Sequence, residues 1–546
     1  MKLQYIILPC FLTAFFATAN NVGDDLSKEI TVEKEIVPEQ RAATRLNVSP
    51  KVVLPAVTAK RLSYSEHGVT VQVPPSIAVL EPAACRDSLP AEKYRGYVDL
   101  GYFPLFNAGL SAGYRLVDNV RTCLNLWTQY DGAVYDGDDS SDREVTMRSH
   151  DVAVGAGLKY MVGDRSSITA GLGYSYSRFN RPVAGEHDYC NVSANRIDAA
   201  ASWSSVVRGL DYTLGLKYGY FGYGKPDVRQ SDMLKPAREN RFALSGDASM
   251  PVGASSYACL ALDISGLGYS DSDYNTSLVS LTPSYLYRKE SLTARVGAKV
   301  EFTGNNDESF HIAPVVSVDW VTSPVFAVYC RLGGGEHQNT LGSLFGFTRY
   351  ADYTRAGIFG NSNIPVTIDA GLDLGAWKGL SVELFGSYAV ANDWLMPFDN
   401  QYECCAFTPV DYKGWRIGAA VSYVYRDLAE LKVSYETAPQ EYDKGYYLWR
   451  DRARYVAGVS VSVHPVNRVD VTVGYELRAK RKILSGIDNW LSLGNMESLD
   501  VGALYRVNEK LSVFARLENL LDNKCMIFRD VPAQGFTGLV GFGYRF

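Results

Sequence analysis

Large apolar residues fall on every second position through most of this chain. In FTGLVGFGYRF, residues 536–546, Phe546, Tyr544, Phe542 and Val540 alternate with Arg545, Gly543, Gly541 and Leu539. Val152, Val154, Ala156, Leu158 and Tyr160 stand in the same way against Ala153, Gly155, Gly157 and Lys159. Ile168, Ala170, Leu172, Tyr174 and Tyr176 repeat the pattern. A period of two belongs to strands whose two faces meet different surroundings. A soluble sandwich also alternates, but large Val, Ile and Leu fill its inner faces. Here the second face is Gly, Ser, Asp, Lys and Arg, which predicts apolar residues outside and polar residues inside a transmembrane barrel.

The spacing predicts about 22 antiparallel strands, within bounds of about 20 to 24, from 96–103 to 536–546. The least regular are the first pair around Pro104 and the stretch 430–437. Short links such as Val507-Asn508-Glu509-Lys510 and His464-Pro465-Val466-Asn467 alternate with the longer ones at 131–149, 333–364, 391–410, 438–451 and 479–495. Short turns on one side of a membrane and long loops on the other are the habit of bacterial barrels, and an even count puts both ends of the sheet on the short-turn side.

Two further segments precede the barrel. Residues 1–19 carry Lys2, an apolar run from Ile6 to Phe16 and the small residues Ala17-Thr18-Ala19, the pattern of a cleaved signal peptide. Residues 20–93 hold Pro38, Pro50, Pro55, Pro74, Pro75, Pro82 and Pro90, which deny helix and remove ladder donors, so an extended periplasmic or lumenal segment is expected. The barrel proper is assigned to 94–546. After the signal region no run is long and apolar enough to span as a helix.

Composition agrees. The chain holds 48 Gly and 37 Tyr, and its net charge of −6 offers nothing to a nucleic acid. Nine cysteines lie scattered without a CxxC pair, the sole neighbours being Cys404 and Cys405, so neither a disulfide framework nor a zinc site is expected.

Residues 515–546, ARLENLLDNKCMIFRDVPAQGFTGLVGFGYRF, resemble the carboxyl-terminal end of TonB-dependent receptors, and 112–132, AGYRLVDNVRTCLNLWTQYDG, resembles their early barrel hairpins. The resemblance implies a 22-stranded outer-membrane barrel, a closing strand ending at Phe546 that is read by the barrel assembly machinery, and solute uptake. It stops at the front, because 20–93 is too short and proline-rich to be the family's plug, so a plug-less barrel is expected. Lys28-Glu29-Ile30-Thr31-Val32 is faintly similar to the family's energy-coupling box.

Motifs for chemistry are weak. Gly109-Leu110-Ser111-Ala112-Gly113 fits GxSxG but sits in strand alternation instead of a strand-to-helix elbow. His187-Asp188-Tyr189-Cys190 offers two metal ligands without a third. The acidic stretch Asp136 to Glu144 lacks calcium-loop spacing and reads as a solvated tip. Gly333-Gly334-Gly335 reads as a hinge. No catalytic, cofactor-binding or metal-binding residue and no enzymatic activity is therefore expected. The partners expected are outer-membrane lipid, the assembly machinery and, if the barrel is a structural or assembly platform instead of a transporter, a lipoprotein or another outer-membrane protein.

Overall fold

The computed structural model describes residues 94–104, 106–182, 189–225, 227, 238–270, 275–304, 309–350, 360–400, 403–438, 453–485 and 489–546. The signal region, the segment 20–93 and Lys28 to Val32 lie outside them. The wall strands are β1 (Gly96–Phe103), β2 (Asn107–Asp118), β3 (Thr122–Asp138), β4 (Glu144–Met161), β5 (Ser166–Pro182), β6 (Tyr189–Val207), β7 (Leu210–Tyr223), β8 (Arg238–Gly253), β9 (Ser256–Tyr269), β10 (Asn275–Lys289) and β11 (Leu292–Gly304). They continue as β12 (Phe310–Ser323), β13 (Phe326–His337), β14 (Ser362–Trp377), β15 (Leu380–Asn400), β16 (Glu403–Tyr425), β17 (Ala429–Thr437), β18 (Tyr455–Val466), β19 (Val469–Ser485), β20 (Asn489–Arg506) and β21 (Leu511–Glu518). After a small hairpin of β22 (Met526–Phe528) and β23 (Val531–Pro532) comes β24 (Thr537–Arg545). One helix, α1 (Leu341–Phe347), lies between β13 and β14.

The 22 wall strands form a single closed sheet, β24 pairing with β1 from Arg545 against Tyr97 to Val540 against Tyr102. Phe546 completes the seam: its amide donates to the Gly96 carbonyl and its carbonyl accepts from Arg95 and Gly96. Closure leaves the sheet without an open edge in lipid, the condition for a sheet to span a membrane. The irregular pair flanking Pro104 and the weak stretch near 430 are both true strands, β1, β2 and β17.

Outward positions carry the apolar set. Leu172, Leu216 and Val296 are each nearly three-fifths exposed, which is the membrane-facing surface. On the short-turn end the links are tight. Arg208-Gly209 joins β6 to β7 and Lys378-Gly379 joins β14 to β15, all four residues having positive φ. That is the mirror-image two-residue turn whose twist matches the strands, and glycine takes its second position without a steric penalty.

Three segments expected as loops are mostly ladder. Around 131–149 the pairing of β3 with β4 runs to Asp138 against Glu144, at 391–410 β15 stays paired with β16 to Asn400 against Glu403, and at 479–495 β19 pairs with β20 to Ser485 against Asn489. About 9 to 11 residues suffice to cross the membrane, whereas β16 has 23. Beyond the lipid the backbone pairing persists while the pressure for strict alternation ends, so period alone undercounts these strands.

Candidate functional site

At the long-loop end the inner face of the wall changes character. Inward positions of β7 run Thr213, Gly215, Lys217 and Gly219, then Phe221 and Tyr223; those of β9 run Asp263 and Ser265, then Leu267 and Tyr269. On β5 the inward serines end at Phe179, which is 1% exposed. These rings form a ledge inside the mouth. Together with Cys190, Val192 and Ala194 of β6 they make a buried cluster that takes in Leu341 of α1 and packs against Phe345 and Tyr350. Phe345 lies 5.2 Å from Phe221 and 6.0 Å from Phe179 between ring centroids.

The helix has its own local cause. Thr340 caps it in an extended conformation, its hydroxyl accepting from the Ser343 amide while Ser343 reaches back to the Thr340 amide. Seven residues cannot hold a helix in water unaided. Packing and the wall hold it: the Glu239 carboxylate accepts from the Leu341 amide, Ser265 donates to the Gln338 side chain at 3.0 Å, and Glu301 accepts from the Glu336 amide at 2.7 Å. Lys299 neutralises Glu301 at 2.9 Å, and Glu336 is met by His311 and Asn363. On the far side Arg349 pairs with Asp151 at 3.1 Å and lies over the Phe179 ring.

A second element also folds inward. The β22–β23 hairpin buries Phe528 and Val531 against Val145, Met147, Ile483 and Leu493. Arg481, buried, donates to the carbonyls of Met526 and Ile527. Tyr189 donates to the Asp530 carbonyl at 2.6 Å and Tyr135 to that of Pro532. Phe347 and Tyr350 pack against this cluster too, and Tyr350 packs against both. Tyr350 thus joins the two inward-folded clusters.

The candidates raised by sequence fare differently. Ser111 of the GxSxG stretch lies mid-strand in β2 between Asp99 and Gln129, with no helix after it. His187 and Asp188 lie outside the described residues, whereas Tyr189 and Cys190 open β6 and serve the two clusters. In the acidic stretch, Asp139 accepts from the amides of Ser141 and Arg143 and pairs with the Arg143 guanidinium at 3.0 Å, so it shapes the turn. Among the described residues no group of three or more His, Cys, Asp or Glu side chains could hold a metal ion. The glycine run is not a hinge: Gly333 and Gly335 stay paired with β14, with a register shift at Gly334 between them. A Cβ on Gly334 would stand 2.6 Å from the Ile364 carbonyl, so the backbones approach too closely for any side chain.

The mouth itself was missed, although a signal for it exists. In β7 the large residues sit at even numbers through Leu214, Leu216, Tyr218 and Tyr220 and then at odd numbers, Phe221 and Tyr223; β9 switches likewise after Ile264. A change of parity without a change of strand marks where the wall leaves lipid and the inner face begins to be covered.

No family model matches the chain, and no curated protein does. Solved structures do match. The copper transporter OprC is 13% identical over 83% of this chain and 80% of its own, with a TM-score of 0.63. A mutant of the ferric enterobactin receptor PfeA from Pseudomonas aeruginosa reaches 0.65 at 10% identity, over 83% and 80% of the two chains. The siderophore receptor PirA from Acinetobacter baumannii gives 0.64 at 10% identity and the same coverage. This is the TonB-dependent receptor barrel fold. A barrel of this fold lies in the cell outer membrane, and the apolar belt described above is the face it turns to lipid.

Proposed function

We propose that this barrel takes up a solute across the outer membrane, capturing it at the mouth, and that residues 338–350 with α1 act as a lid over that mouth. The observation that carries the reading is that Tyr350, three residues past α1, packs both against the cluster that holds Leu341 and against the cluster that holds the β22–β23 hairpin. A 22-stranded barrel has a lumen wide enough to leak unless obstructed, and here chain from two directions folds into the opening. The names of the similar structures, a copper transporter and siderophore receptors, support uptake as the class of activity. Assembly would use the β24 strand and Phe546 as the feature read by the barrel assembly machinery.

The test removes the lid and spares the wall. His337 is directly paired with Ser362, so replacing residues 338–361 by Asn-Gly leaves a two-residue hairpin in register. The variant should assemble as a heat-modifiable band, conduct more in planar bilayers and admit large antibiotics. Unchanged conductance in a normally assembled variant would refute the lid. Deleting residues 22–93 addresses the platform alternative, which predicts unchanged permeability and loss of a co-purifying outer-membrane protein.

A further inference from the structure

The lid is held at two places of unlike chemistry. At its foot, Glu301 accepts from the Glu336 amide and is neutralised by Lys299. At its tip, Glu239 accepts from the Leu341 amide, with the Gly342 amide also bonded to it. Glu239 is 4% exposed. Its neighbours on the outer surface, Arg238 and Asn240, are polar, and the membrane-facing series of β8 starts only at Phe242, so Glu239 stands beyond the lipid.

Among the described residues, Arg241 on its own strand is a nearby cation; Tyr269, directly opposite on β9, offers a hydroxyl; Phe221, directly opposite on β7, offers a hydrocarbon ring. The lid brings amides, and α1 has no acidic residue in its first turn and no basic one in its last. A glutamine oxygen could also accept from the two amides, without a charge to lose. An ionisable group at this position therefore adds a proton to the equilibrium of the lid.

We propose that the lid is proton-linked, closure over the wall taking up a proton at Glu239, so that acid holds the mouth shut and rising pH frees it. This rests on the lid reading above.

Burial raises the Glu239 carboxyl from an ordinary value of 4.5 to about 7, against the opposing pull of the Leu341 and Gly342 amides and of Arg241. With the lid lifted the group is solvated and returns to its ordinary value. The stabilisation of the shut form is therefore complete below about 4.5, lost as pH rises toward 7, and absent above it. Between pH 5 and pH 8 the ratio of open to shut lid should rise about seventyfold from this group alone.

Hydrogen exchange on the full-length protein in nanodiscs reads that ratio. After correction for intrinsic rates, protection of the amides in 338–349 should fall about seventyfold from pH 5 to pH 8, while amides of 211–219 in β7 stay constant. Glu239→Gln should remain protected at both values. Glu336→Gln, which alters the foot and leaves Glu239 in place, should keep the pH dependence. Should the glutamine variant misassemble, Glu239→Asp, which keeps a carboxylate, should retain a pH-dependent lid with a shifted midpoint. Equal loss of protection in wild type and Glu239→Gln, no loss in wild type, or a pH-independent lid in the aspartate variant would each overturn the linkage. A pH-independent lid whose removal still raises conductance defeats the linkage alone; a pH-dependent segment whose removal changes no conductance defeats the lid.

Discussion

The membrane wall and the mouth are built from the same strands by opposite rules. In the wall the large side chains point away from the axis, the inner face is Gly, Ser and charge, and Leu172 and Val296 stay open to lipid. At the mouth the large side chains turn inward, and Phe179, Met147, Val192 and Val531 are each about 1% exposed or less. The wall needs only lipid to cover its apolar face, so its pattern is complete in each strand. The mouth needs another piece of chain, which arrives from more than a hundred residues away: Phe345 upon Phe179, and Phe528 upon Met147. The difference explains why strands are local and the site is not.

The contrast should break most severely where the mouth is most deeply buried. Phe179→Ala should remove about 3 to 5 kcal/mol from the mouth cluster, because the ring is buried against Phe345, Tyr350 and the Arg349 guanidinium. The loss should be local. Limited proteolysis should cut within 338–350 while the barrel keeps its melting temperature in detergent.

Arginine at Leu172, on the lipid side of β5, should cost about 2 to 4 kcal/mol near the membrane midplane. The next residue, Gly173, faces the lumen, and a Cβ there meets nothing nearer than the Asp198 carbonyl at 4.0 Å, so Gly173→Arg should assemble almost normally. Gly155 would be a poorer control, because a Cβ there would lie 2.6 Å from the Trp127 indole. Equal assembly yields for the two β5 variants in outer-membrane fractions would mean that the faces are not different.

A smaller effect is expected at the second inward element. Arg481→Met keeps the length of the side chain but deprives the Met526 and Ile527 carbonyls of their charged donor, worth about 1.5 to 3 kcal/mol. Hydrogen exchange should rise in 525–533 and stay unchanged in β19 below residue 478.

The count of strands, their facing and the short-turn end could all be read from period two, because the lipid imposes that period on each strand by itself. Even the irregular β1–β2 pair obeyed it. What could not be read were the arms above the membrane, where β15 and β16 stay paired without alternation, and the role of Gly333 to Gly335, whose close backbone approach to Ile364 depends on a partner 29 or more residues further on. Glu239 and Arg481 were equally hidden. Each sits among other charged residues of its strand, Glu239 beside Arg238 and Arg241, Arg481 beside Lys480 and Lys482, and what sets it apart is the set of backbone groups that another loop brings to it.

The smallest effect should come from the acidic stretch that the sequence reads as a solvated tip and the structure shows as a turn. Asp139 lies between β3 and β4 at the long-loop end. Burial opposes its ionisation, yet the amides of Arg143 and Ser141 and the Arg143 guanidinium outweigh this and hold its carboxyl below the ordinary carboxylate range. A group depressed in the folded turn stabilises it above the ordinary value, and that contribution fades as pH falls through the depressed one. The turn should therefore be firm at neutral pH and loosen only in strong acid, the reverse of what is expected for the lid. Asp139→Asn keeps an acceptor for the two amides and removes the charge that meets Arg143, so hydrogen exchange at 139–143 should rise slightly at neutral pH and lose its acid dependence. Added calcium should leave wild type and variant alike. A calcium-dependent slowing of exchange in the wild type alone would show that the acidic tip binds an ion after all.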